Sequence, residues 1–228
     1  TYQTEEEAAK APNDPNAQGR KKHAGDAIFE DVNNDGQLDS KDMIFMGYVR
    51  PDKVGGIINT LKYKGLTVRI VMDWAMGHVI DNGFKGQIMG SSRNNNNAIK
   101  EAMTNSWQSA NDGSKYPKYT VQSDYDYQYR NHMRWDNQIG SSASGSTNNS
   151  LYFSKGDYLA FREVSLSYML PLSWIRKMKL SAGEVFAGAY NIGYIKKYDG
   201  MFPEIYTGVD YGIYPRPRQY NMGVKINF

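Results

Sequence analysis

Apolar and polar residues alternate singly along several stretches of this chain. Between Leu66 and Met76 the alternation is unbroken, with Leu66, Val68, Ile70, Met72, Trp74 and Met76 on one face and Thr67, Arg69, Val71, Asp73 and Ala75 on the other. A period of two is that of a β-strand, here set between an apolar environment and one that accepts Arg and Asp. The segment before it, Gly55 to Tyr63 (GGIINTLKY), reads as a partner strand joined through the tight turn Lys64-Gly65. A third strand is predicted from about Lys155 to Met169, where Val164, Leu166 and Tyr168 alternate with Glu163, Ser165 and Ser167. Pro171 ends it, and LSWIRKM follows as a helical turn. A fourth strand, from about Lys179 to Asn191, alternates more weakly. The last places Tyr220, Met222, Val224, Ile226 and Phe228 opposite Asn221, Gly223, Lys225 and Asn227, and stops at an aromatic residue.

The intervening segments are polar. Residues 1–50 offer a helical turn in TEEEAAK and no material for a core. Residues 77–150 are rich in Asn, Ser, Asp and Tyr, including Asn94–Asn97 and the run SSASGSTNNS, and 192–214 is a second polar, aromatic connection. Connections this long count against a compact soluble domain. Long and short connections alternate along the chain, however, which is the rule for a transmembrane barrel with long outer loops and short periplasmic turns. On that reading the final strand descends to the periplasm.

Composition agrees. No run approaches the roughly 18 apolar residues of a membrane-spanning helix, whereas barrel strands of about 9–11 alternating residues are compatible with a mean hydropathy of −0.67. The absence of cysteine removes disulfides, thiolate metal sites and thiol nucleophiles. A net charge of +3, scattered apart from Arg20–Lys22, gives no nucleic-acid footprint. The amino terminus lacks the basic and apolar regions of a signal peptide, so in an exported chain either the signal has been removed or the sequence is a piece of something longer, and the second is expected.

The most specific local motif is DVNNDGQLDSKD. It places Asp31, Asn33, Asp35, the Gln37 backbone, Asp39 and Asp42 at the ligand positions of a calcium loop, with Gly36 at the sharp turn and Leu38 positioned to pin the loop. Asp rather than Glu at the last position, and the lack of a preceding helix, argue against an EF-hand sensor. A structural calcium and a solvated Asx-turn loop both remain open. His23, His78 and His132 lie far apart, and no nucleophile motif occurs, so no enzyme is expected. The loop aromatics Tyr116, Tyr119, Tyr125, Tyr127, Tyr129, Trp135, Tyr206, Tyr211 and Tyr214 suit either stacking on a polar ligand or packing of the loops and an interfacial girdle.

The blocks GDAIFEDVNNDGQLDSKD, GGIINTLKYKGLTVRIVMDWAMG, GDYLAFREVSLSYMLP, KKYDGMFPE and YNMGVKINF, in this order from Gly25 to Phe228, resemble the SusC/RagA-like TonB-linked outer-membrane transporters. VFAGAYNIGYIKKY matches the family pattern least well. The resemblance implies an all-β fold, the carboxy-terminal strands of a 22-stranded antiparallel transmembrane barrel with long extracellular loops. Residues 1–54 would be an extracellular loop and 55–228 barrel strands and loops, with the plug and most of the barrel lying outside this sequence. It further implies TonB-driven import of oligosaccharides or peptides across the outer membrane of a Gram-negative bacterium. The partners would be a SusD-like surface lipoprotein, TonB, the rest of the barrel and membrane lipid, and Phe228 would act in the assembly signal. A reading of a different class is a secreted carbohydrate-binding β-sandwich stabilised by calcium.

Overall fold

The computed structural model describes residues 1–89, 91–92, 99–121, 124, 126, 130–131 and 150–228. Asn94–Asn97, Tyr125, Tyr127, Tyr129, His132, Trp135 and residues 141–149 lie outside them. The chain forms two compact units. One comprises Thr1–Met46, Asp81–Phe153 and Val209–Gly212, the other Gly47–Ile80, Ser154–Gly208 and Ile213–Phe228.

The second unit is built on five antiparallel strands in sequential order: β1 Lys53–Tyr63, β2 Leu66–Met76, β3 Tyr158–Met169, β4 Ala182–Lys196 and β5 Gln219–Asn227. This is the all-β, antiparallel arrangement that the alternation predicts. Lys64 and Gly65 both have positive φ, 48° and 84°. A turn with this geometry twists in the same sense as the strands it joins, so the β1–β2 register runs unbroken from Tyr63↔Leu66 to Lys53↔Met76. The register carries the pattern across the sheet. Leu61, Val68, Leu166, Ala187 and Met222 form one apolar row, and Thr60, Arg69, Ser165, Gly188 and Asn221 the polar row beside it. The apolar row is open, with Leu61 61%, Leu166 46% and Met222 87% exposed. At the same end as the tight turn, β3 and β4 are joined by a short connection containing the helix Leu172–Lys177. The other connections, 77–157 and 197–218, are long.

β2 matches its predicted bounds. β3 begins later than expected, at Tyr158, and β4 runs from Ala182 to Lys196, starting later and ending later than expected. The weak alternation of β4 reflects what fills its two faces, Ala187, Ala189 and Gly193 on the apolar one and Phe186, Tyr190 and Tyr194 on the polar one. Between the pairs Phe161↔Gly193 and Glu163↔Tyr190 it carries an extra residue, and Asn191 there has φ 51°. This extra residue offsets the one that β3 carries against β2, so Gly188, Tyr190 and Tyr194 stay on the same face.

The first unit overturns the expectation that residues 1–50 contribute to no core. Tyr2, Ala8, Ala17 and Leu38 are buried, and a small apolar cluster forms from Met89, Ala102, Tyr116 and Tyr152. Part of the interior is polar, and around Asp26 it is internally satisfied. The Asp26 carboxylate, 1% exposed, accepts from the His23 backbone N–H and from Arg130 and Asn131. Lys22 donates to the Arg130 carbonyl and lies 4.0 Å from Asp14; burial lowers its pKa to about 8 against the pull of that carboxylate. Buried polar groups persist when each has a partner, and hydrophobic periodicity does not register them.

Candidate functional site

In the loop 31–42 each acidic side chain caps backbone. Asp31 accepts from the N–H groups of Asp35 (3.2 Å) and Gly36 (2.8 Å), Asn33 from Asp35 (2.9 Å), Asp35 from Gln37 (2.9 Å) and Asp39 from Lys41 (2.7 Å). Asp42 closes the loop by accepting from Val32 (2.9 Å) and Asp39 (2.8 Å). Asn34 and Gly36 take positive φ, 59° and 80°, as the sharp turn requires. Leu38 is buried, and its backbone and that of Gly36 bond to Asn13 at 2.8 and 2.9 Å. The Lys41 ammonium stands 3.4 Å from Asp35 and 3.5 Å from Asp39. The hydrogen bond from Gln37, followed by that from Asn33, holds the Asp35 carboxyl below its usual pKa. The donor set is all oxygen, the chemistry that calcium selects. Its carboxylates are turned onto backbone and Lys41, and among the described residues no three His, Cys, Asp or Glu side chains converge closely enough to hold a metal ion.

A second cluster lies on the polar face of the sheet and centres on Arg162. Strict alternation from Val164 would place Arg162 with the apolar residues. The ladder shifts there: Val71 faces Glu163 while the next residue, Met72, faces Phe161, so Arg162 is the extra residue of a bulge. Its guanidinium forms a bidentate pair with Asp73 of β2, Nη2 lying 2.7 Å from Oδ2 and Nε bonding Oδ1. Nη2 also lies 2.5 Å from Glu204, whose other carboxylate oxygen is 3.3 Å from Arg216. Tyr194 of β4 donates to Glu204 at 2.9 Å and stacks edge-on with Phe202, ring centres 5.8 Å apart. Glu204 is 4% exposed. A carboxylate buried to this degree, stripped of one partner, costs about 3–5 kcal/mol. The cluster was not singled out from sequence, although a signal is present: alternation in the third strand fails at Phe161–Arg162.

The other candidates disperse. His23 Nδ1 lies 3.2 Å from Glu5, while His78 is buried, with burial lowering its pKa. Tyr116 and Tyr119 pack within the first unit, whereas Tyr206, Tyr211 and Tyr214 are exposed.

No family model matches the chain. It is 24% identical over 216 residues to TonB-dependent receptor P3 of Formosa agariphila, covering 90% of this chain and 19% of the relative. It is 22% identical over 205 residues to TonB-dependent receptor SusC of Bacteroides thetaiotaomicron, covering 88% and 17%. The chain therefore spans about a fifth of the length of the curated relatives it matches. Among solved structures, the RagAB peptide importer in its open-open state superposes with a TM-score of 0.59 at 20% identity, over 87% of this chain and 20% of that one. The closed-closed state gives 0.58 at 21%. These structures show a shared fold, and the relatives are receptors and importers by name rather than enzymes. Over about nine-tenths of its length this chain is similar to one fifth of a SusC-like TonB-dependent transporter.

Proposed function

We propose that the chain is the carboxy-terminal part of a TonB-dependent importer in the outer membrane of a Gram-negative bacterium. The observation that carries this reading is the five-stranded sheet itself. One face is a continuous open apolar surface, the other is polar, and β1 and β5 each pair on one side only among the described residues. Unpaired edges are not tolerated in lipid, so the sheet is completed by further strands of a 22-stranded barrel enclosing a plug. Residues 1–54 and the long connections lie outside the cell, where they meet a SusD-like lipoprotein and a glycan or peptide, and Phe228 ends the strand that directs assembly. The loop 31–42 binds calcium through Asp31, Asn33, Asp35, the Gln37 carbonyl, Asp39 and Asp42, displacing the Lys41 ammonium and tying the loop ends together. A sandwich would lay a second sheet over the apolar row, and among the described residues none does so.

The test uses the full-length protein in its own host. It should be recovered with outer membranes, and deletion of its gene should reduce energy-dependent uptake of a labelled oligosaccharide or peptide mixture at least tenfold. Recovery in the soluble fraction, or uptake of both mixtures unchanged by the deletion, overturns the reading.

A further inference from the structure

We propose that Arg162 is a positioning residue for solute passage, clamping the strap Tyr198–Ile205 onto the polar face of the sheet so that breaking the clamp frees the strap and widens the passage. The claim about passage rests on the import reading above; the clamp itself stands on geometry within one unit. The strap follows β4 directly and turns back, with Lys196 donating to the Gly200 carbonyl. Tyr198, Phe202 and Ile205 are buried with Ile80 in a single cluster, and Tyr194, on the polar face opposite Ala160, packs against it. The strap therefore lies on the polar face at the strand ends remote from the Lys64-Gly65 turn.

Apolar contact alone would allow the strap to slide, whereas Glu204 fixes it. Its carboxylate sits between the guanidinium groups of Arg162 and Arg216 and accepts from Tyr194. Arg162 is at the same time held bidentately by Asp73, so one planar group ties β2, β3 and the strap together. The bulge is what makes this possible, because an unbulged strand would point Arg162 to the apolar side. A residue serving the sheet alone would need only Asp73. In an importer the polar face lines the interior, and a strap fixed across it narrows the route.

The chain contains no cysteine, so a cysteine placed at Ile205 in the otherwise unaltered full-length protein reports whether the strap is seated. Membrane-impermeant maleimide should leave Ile205→Cys unlabelled in the parent and label it at least tenfold faster when combined with Arg162→Gln, with Arg162→Lys intermediate. In proteoliposomes the Arg162→Gln protein should admit a disaccharide several-fold faster than the parent. Should Arg162→Gln not assemble, Glu204→Gln carries the same test, because it leaves the Arg162–Asp73 pair in place. Continued protection of position 205 in assembled Arg162→Gln or Glu204→Gln protein overturns the clamp. Labelling without any rise in disaccharide entry overturns the role in passage. Absence of the parent from the outer membrane overturns the import reading instead, and labelling of the detergent-solubilised protein still tests the clamp.

Discussion

Asp81 is 2% exposed, and neither of its carboxylate oxygens meets a hydrogen-bond partner among the described residues. Burial raises its pKa from 3.8 to about 6. A carboxyl whose folded pKa lies above its unfolded value costs nothing while both states are protonated. The penalty develops as pH rises from about 4 to 6 and is complete above 6. Asp81→Asn, which resembles the protonated form, should therefore be more stable than the natural protein at pH 7 by about 3 kcal/mol and equal to it near pH 4. Thermal melting at several pH values checks this, and parallel profiles for the two proteins would refute it. The loop 31–42 offers a second test at this scale. Millimolar calcium should raise the melting temperature, chelation should reverse the rise, and Asp31→Ala should remove the response, affinities of about 10⁻⁴–10⁻³ M being sufficient outside the cell. A natural protein that carries no calcium after equilibration at millimolar concentration would exclude the site. The spacing of its oxygen donors is legible in the sequence; that they turn onto backbone amides and Lys41 is not, because that depends on torsions that spacing does not specify.

Among elements, the β1–β2 hairpin is the one most completely legible. Alternation, a two-residue turn and a glycine at its second position are all local signals, and the ladder forms as they predict. Gly65 has φ 84°, and a Cβ there would stand 3.2 Å from the Met169 carbonyl oxygen. Gly65→Ala should cost about 1–2 kcal/mol through the left-handed backbone alone, measured as a lower melting temperature with the strand content unchanged; a neutral effect would show that the turn relaxes. β4 is less legible for a physical reason: the small Ala187, Ala189 and Gly193 lie on the apolar face and the aromatic Phe186, Tyr190 and Tyr194 on the polar one, so hydrophobicity does not separate the two. The bulge at Arg162 does shift side-chain parity in β3, and there it converts an apparent irregularity into the centre of an ion-pair network.

At the scale of the whole molecule, an open apolar row and two edge strands that pair on one side only among the described residues are properties of a sheet unsuited to water. Expressed alone, the 228-residue chain should aggregate or need detergent, and a monodisperse, folded preparation in buffer would favour the β-sandwich reading. The sequence by itself determined the strands, the faces they present, the tight turn and the order of the motifs, because each follows from neighbours one to four residues apart. It takes the tertiary structure to bring Arg162 onto both Asp73 and Glu204 of the strap, three separate segments, and to give residues near the amino terminus a polar interior shared with Arg130 and Asn131. Such contacts join charged groups far apart in the chain, and nothing in the local pattern of a buried carboxylate distinguishes it from one that faces solvent.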